Sequence, residues 1–173
     1  MKDKIVKFLK KFSVSFFMTF LYNRQKEKME YITNNFLKTK ELGKLISKKA
    51  KPQKFANIFC LRGDLGAGKT TFLQGFGSGL GVEKIQSPTF VIMNKFSLKK
   101  QEFKNFYHFD CYRIENQEEI IKLDFIEIIN NPKNIIAIEW PEKIEKFLPK
   151  SRTEIRFKII GEEKRKISIE VKK

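Results

Sequence analysis

Gly63-Asp64-Leu65-Gly66-Ala67-Gly68-Lys69-Thr70 is the stretch that decides the fold. It fits G-x-x-x-x-G-K-[ST] without a mismatch. The apolar run Ile58 to Leu61 (IFCL) precedes it, short and unbroken as in a strand buried on both faces of a parallel sheet. Behind it, Phe72, Leu73, Phe76 and Leu80 recur at helical spacing, and Gly79 and Gly81 end the helix. A strand, a glycine-rich turn and a helix in that order make a phosphate cradle. The glycines let successive N–H groups face inward, and the helix offers its positive N-terminus to the phosphates. In this reading Asp64, Leu65, Gly66, Ala67 and Gly68 wrap the phosphates, and Lys69 reaches the terminal ones. Thr70 offers a hydroxyl to Mg²⁺, and Thr71 bonds near the α-phosphate.

Working outward, Tyr31 to Ala50 reads as a helix through Ile32, Phe36, Leu42 and Ile46. Thr89 to Phe96 and Phe103 to Phe109 read as strands, and Asn116 with Glu119 as a capping box opening a further helix. Ile135 to Ile138 is a second buried strand, ending in Glu139 and Trp140. Thr153 to Ile160 and Lys166 to Val171 alternate around a turn as an antiparallel hairpin. Helices alternating with buried strands predict an α/β fold. It is a P-loop NTPase-like three-layer sandwich with a mostly parallel sheet and a C-terminal antiparallel hairpin.

Residues 31–173 then form one P-loop ATPase domain, as the length of 173 residues also suggests. Residues 1–30 carry eight basic and three acidic side chains, with Ile5, Phe8, Leu9 and Phe12 at helical spacing. They are either a basic amphipathic helix that serves as a membrane-surface or tRNA-binding arm, or a disordered or helical extension that is dispensable or lies upstream of a start at Met29. The uncharged run Phe12 to Asn23 is too short to span a bilayer as a helix, and no small-residue cleavage site follows it. Cys60 and Cys111, both in apolar runs, read as reduced buried thiols of a cytoplasmic protein.

The formal charge is +16, which attracts polyanions. Only six of the 36 basic residues are arginine, so a Lys-rich codon bias accounts for the charge equally well. Phe103, Phe106 and Tyr107 among lysines suit either an RNA-stacking face or sheet core. No Asn-Lys-x-Asp follows the P-loop, which argues against guanine specificity, and the scarcity of arginine disfavours a kinase lid. A metabolite kinase and a stand-alone RNA-binding module remain the competing classes.

Magnesium needs a carboxylate beside Thr70. Glu139 is the first candidate, at the C-terminal end of a buried strand where an open α/β sheet places its ligands. Asp110, ending another strand, is the second, as base, water positioner or outer magnesium partner. His108, the lone histidine, reads as orienting its neighbours. Trp140, the lone tryptophan, either stacks near the nucleotide or caps the sheet.

Four segments together resemble the TsaE (formerly YjeE) family: GDLGAGKTTF at 63–72, SPTF at 87–90, HFDCYR at 108–113 and EWPE at 139–142. Their order and spacing match over roughly residues 31–171. The resemblance implies a small ATPase required for threonylcarbamoylation of the adenosine beside the anticodon in tRNAs that read codons beginning with A. It implies ATP/ADP and Mg²⁺ as ligands and the TsaD and TsaB proteins as partners, with tRNA reached through that pair. Alone, the chain would be a monomer or weak oligomer. Carried over, Lys69 binds the β- and γ-phosphates, and Thr70 and Glu139 ligate Mg²⁺. Thr89 lies in a switch-like loop, Asp110 assists hydrolysis, Tyr112 and Arg113 shape the same face, and Trp140 lies close to the nucleotide. Arg165 or Lys164 of the hairpin turns towards it. Cys111, at a usually aliphatic position, and the N-terminal extension depart from the pattern.

Overall fold

A computed structural model describes residues 28–85, 91–99, 102–116 and 118–173. The amphipathic helix expected near the N-terminus and the SPTF residues with Thr89 therefore lie outside the described residues.

The elements are β1 Lys28–Thr33, α1 Phe36–Ser47, β2 Asn57–Arg62, α2 Lys69–Leu80, β3 Met93–Ser97, β4 Asn105–Asp110, α3 Glu118–Ile121, α4 Phe125–Asn130 and β5 Asn134–Glu139. A 3-10 helix, Pro141–Phe147, and the strands β6 Arg152–Ile159 and β7 Arg165–Lys172 complete the chain. The sheet order is β1-β7-β6-β2-β5-β4-β3. The central strands β6, β2, β5 and β4 pair in parallel, while β7 and β3 run against their neighbours. β1 returns to the central direction by pairing antiparallel with β7. The expected mostly parallel sheet and closing hairpin are both present.

Alternation along β2 sends side chains to two separate layers. Phe59 and Leu61 pack with Leu42 and Ile46 of α1 and with Phe72 and Phe76 of α2. Ile58 and Cys60 pack on the other face with Ile120, Phe125 and Ile144. Each such fully buried large apolar side chain contributes roughly 1.5–3 kcal/mol relative to exposure. The result is the three-layer sandwich, with Cys60 and Cys111 both buried and unpaired.

The first element differs from the helix expected over Tyr31 to Ala50. Tyr31 and Thr33 are buried while Ile32 between them is 40% exposed, a period of two that makes β1 rather than a first helical turn. The helix begins only after Asn35, whose side chain accepts the Lys38 N–H at 2.9 Å. Asn116 and Glu119 do form the expected reciprocal cap, the Asn116 side chain accepting the Glu118 N–H and Glu119 accepting the Asn116 N–H. The helix they open is short, and a second one, α4, follows it. Phe103, Phe106 and Tyr107 are all buried, so these aromatics are sheet core and offer RNA no stacking platform. Among the described residues no helix is long and apolar enough to cross a membrane.

Candidate functional site

The P-loop leaves the C-terminal end of β2 and closes at Gly68, the N-cap of α2, where φ is +96°. Only glycine adopts that region freely. Gly63, at φ +146°, lies so close to β6 that a Cβ there would meet the Phe157 carbonyl oxygen at 2.7 Å. β-Strand pairing and backbone conformation thus both demand the motif's glycines.

Lys69, the first residue of α2, is buried, and its Nζ donates to the carbonyls of Gly63 (2.6 Å) and Asp64 (2.9 Å). Burial pulls its pKa below the usual lysine value, although the carboxylates of Glu139, Glu142, Asp110 and Asp64 oppose the shift. The same ammonium sits 4.0 Å from the centroid of the Trp140 ring. Thr70 Oγ1 lies 3.3 and 3.4 Å from the two carboxylate oxygens of Glu139.

Parallel pairing of β4 with β5 sets Asp110 opposite Glu139, side by side at the C-terminal edge of the sheet. Glu139 is only 2% exposed and has His108 Nε2 at 3.0 Å from its Oε1. His108 is buried, and among the described residues its Nδ1 has no hydrogen-bond partner. Burial raises the Asp110 pKa, the Glu139 charge adds to the rise, and the Tyr112 N–H on its Oδ1 at 3.2 Å works against it.

Trp140 carries a positive φ of 56°, a conformation that costs a non-glycine residue about 1–2 kcal/mol. Its ring packs on Tyr112 with centroids 5.1 Å apart. Leu65 to Thr71, Asp110, Tyr112, Arg113, Glu139 and Trp140 together line a cavity of about 610 Å³. A second hollow of about 250 Å³ opens on the other flank of the P-loop, between Phe36, Thr39, Thr71 and Arg165. Arg165 reaches across from the hairpin, its Nη2 donating to the Gly66 carbonyl at 3.3 Å. Of the two basic residues anticipated at that turn, Arg165 is the one with a hydrogen bond to the P-loop.

A hydroxyl and a carboxylate in contact beside a lysine form a hard-oxygen donor set that suits Mg²⁺, which takes one or two protein oxygens and fills its octahedron with phosphate and water. Among the described residues no group of three His, Cys, Asp or Glu side chains could hold an ion by itself. The donor set therefore fits a metal that arrives with a phosphate.

Arg62 ends β2, immediately before the P-loop. Its guanidinium donates to the buried Glu154 at 2.7 Å, to Glu142 at 3.2 Å and to Glu145. Arg152 also donates to Glu154, at 2.6 Å. Burial pushes the Glu154 carboxyl up, but the hydrogen bonds from Arg62 and Arg152 outweigh it and hold the pKa at about 2. Periodicity gives no sign of this network, because its members meet only through the fold.

The family model described as Threonylcarbamoyl adenosine biosynthesis protein TsaE matches residues 33–167. The chain belongs to the TsaE family. The TsaE protein of Bacillus subtilis is 37% identical over 143 residues, covering 82% of this chain and 85% of that protein. The TsaE protein of Borreliella burgdorferi is 41% identical over 111 residues, covering 64% and 79%. Among solved structures, the crystal structure of Bacillus subtilis YdiB superposes with a TM-score of 0.66 at 30% identity, over 87% of this chain and 90% of that one. Membership of the TsaE family places the chain in tRNA threonylcarbamoyladenosine biosynthesis. Nucleotide binding is consistent with the P-loop fold of the family.

Proposed function

We propose that this chain binds ATP with Mg²⁺ and hydrolyses it to ADP and phosphate in the cytoplasm, in support of threonylcarbamoyl transfer to tRNA by the TsaD and TsaB pair. The observation that carries this reading is the juxtaposition of Lys69, Thr70 and Glu139 at the mouth of a complete P-loop. The backbone N–H groups of residues 64–70 receive the β- and γ-phosphates, Lys69 turns to them, and Thr71 and Arg165 serve the α-phosphate side. The hollow beside Phe36 and Thr39 takes ribose and base, and the larger cavity takes the γ-phosphate.

Thr70 and Glu139 would hold the magnesium ion, whose charge would neutralise the phosphate oxygens. A water oxygen bonds to the γ-phosphorus as the bond to the β,γ-bridging oxygen breaks. Asp110 accepts the proton that this water gives up as it bonds to phosphorus, a task that its raised pKa favours. Thr89 of SPTF is the further residue that the family resemblance assigns to the γ-phosphate. TsaD and TsaB bind the chain directly, and tRNA is reached through them; alone, the chain is a monomer or weak oligomer.

The test is phosphate release from ATP by the purified chain, alone and with TsaB and TsaD, with Lys69→Ala as control. A Mg²⁺-dependent rate that the pair stimulates and Lys69→Ala abolishes supports the proposal. Hydrolysis that is absent, or indifferent to the pair, overturns it. Phosphate transferred to an added metabolite would identify a kinase instead.

A further inference from the structure

Glu142 closes the EWPE segment, yet neither the phosphate cradle nor the metal pair uses it. Its carboxylate accepts from Arg62 Nη1 at 3.2 Å, eighty residues away in sequence. Arg62 is the residue immediately ahead of Gly63, where β2 turns into the P-loop. Through Glu154 it is anchored in the interior, and through Glu142 and Glu145 it grips the 3-10 helix that follows Trp140. Trp140 adopts its left-handed backbone between Glu139 and Pro141. Such conformations persist only where the surroundings over-determine them.

We propose that Arg62 is a positioning residue: through Glu142 it locks the Trp140 turn to the start of the P-loop and so holds the indole ring over Lys69. The planar guanidinium suits this because it can donate to several carboxylates in fixed directions, which an ammonium cannot. Lys69 lies between two surfaces that the clamp joins, the carbonyls of Gly63 and Asp64 on one side and the indole on the other. A shift of the 3-10 helix relative to β2 would therefore move the ring that borders the lysine. The effect on catalysis rests on the ATPase reading; the effect on the ring does not.

Trp140 is the chain's single tryptophan, so emission excited beyond the tyrosine absorption band reports this ring alone. The experiment compares full-length wild type, Glu142→Gln and Arg62→Lys by tryptophan emission, acrylamide quenching, thermal melting and ATPase kinetics. Glu142 is a rim residue with a side chain 44% exposed, and Glu154 and Glu145 still hold Arg62 in its absence, so Glu142→Gln keeps the fold. Its emission should move to longer wavelength and its ring become more accessible to acrylamide, with little change in melting temperature. Its kcat should fall by on the order of tenfold while KM for ATP stays within about twofold, the pattern of lost positioning rather than lost binding. Arg62→Lys should show the same emission change. Glu41→Gln, which removes a surface ion pair on α1, should leave emission unchanged. Wild-type emission and quenching in both Glu142→Gln and Arg62→Lys overturn the proposal. If the wild-type protein hydrolyses no ATP, the ATPase reading fails and the emission arm still decides the clamp.

Discussion

Thr70 Oγ1 lies 3.3 Å from Glu139 Oε2 across a sequence separation of 69 residues. One residue lies in the first turn of α2 and the other ends β5, so the contact exists only because β2 and β5 are parallel neighbours with both C-terminal ends at the P-loop. If the pair holds magnesium, removing either oxygen removes metal control. Glu139→Ala should leave a residual rate that no longer responds to Mg²⁺, with kcat down by about 10²–10³-fold, as for loss of a charge-stabilising group. Thr70→Ala should raise the Mg²⁺ needed for half-maximal activity. Metal titrations of initial rate check both, and an unaltered Mg²⁺ response in Glu139→Ala contradicts the assignment.

His108 is buried against the same carboxylate, with Nε2 3.0 Å from Glu139 Oε1. Partners that orient a metal ligand typically contribute 10–100-fold to metal affinity. His108→Phe should weaken Mg²⁺ binding by about that range, measured by calorimetry in the presence of ADP. His108→Gln, which keeps an N–H donor, should recover part of it. Equal metal affinity in wild type and His108→Phe would assign the histidine to packing alone.

Asp110 has its pKa raised by burial and by the neighbouring Glu139 charge. A base of this kind works only when deprotonated, so the acidic limb of the rate profile should lie above the usual carboxylate range. Asp110→Asn should lower kcat and abolish that limb. A pH–rate series of the two proteins distinguishes this from a purely structural carboxylate, whose replacement would leave the limb in place.

Glu154 makes the fold acid-sensitive in a defined window. Its pKa is about 2 in the folded protein against the ordinary glutamate value of 4.5, so as pH falls the unfolded chain takes up the proton first and stability drops. The contribution is fully present above about pH 4.5 and is lost between there and about pH 2. A shift of this size corresponds to roughly 3 kcal/mol. Glu154→Gln should destabilise the protein by a similar amount at neutral pH, because Arg62 and Arg152 lose their buried counter-charge. Denaturant melts at pH 7 and pH 3 should show the gap between the two proteins narrowing at the lower pH.

What could be read in the sequence was local. The P-loop, β2 and α2 declare themselves through spacing within a few turns of chain, the hairpin through the alternation of its two adjacent strands, and Glu139 and Asp110 through their places at strand ends. β1 escaped because its alternating Met29, Tyr31 and Thr33 run into the helical pattern of α1, and its identity as a strand depends on pairing with β7, over a hundred residues later. The Arg62 cluster escaped for the same reason: opposite charges at 62, 142, 145 and 154 have no fixed spacing, and only the neighbouring positions of β2, β6 and the 3-10 helix bring them together. Arg62 directly before a P-loop and a second glutamate in EWPE were the available hints.

The final prediction concerns the layer that seats the P-loop helix. α1 and α2 cross so closely that a Cβ on Gly43 would fall 2.0 Å from the Phe72 carbonyl oxygen, and one on Gly75 would fall 1.8 Å from the Lys40 carbonyl oxygen. Both obstacles are backbone, so neither can rotate away; the helices themselves must separate. Alanine is the better helix former by about 1 kcal/mol, so propensity alone predicts that Gly43→Ala stabilises the protein. Packing predicts the opposite, because overpacking a tight core costs typically 1–3 kcal/mol or more. The collision distances decide for packing, and Gly43→Ala and Gly75→Ala should each lower stability by at least about 2 kcal/mol. Separation of the helices would also shift Phe36 and Thr39 away from Gly66 and Gly68, across the smaller hollow. Nucleotide affinity should therefore fall along with the melting temperature, whereas a variant with raised stability would show that the two helices can slide apart freely.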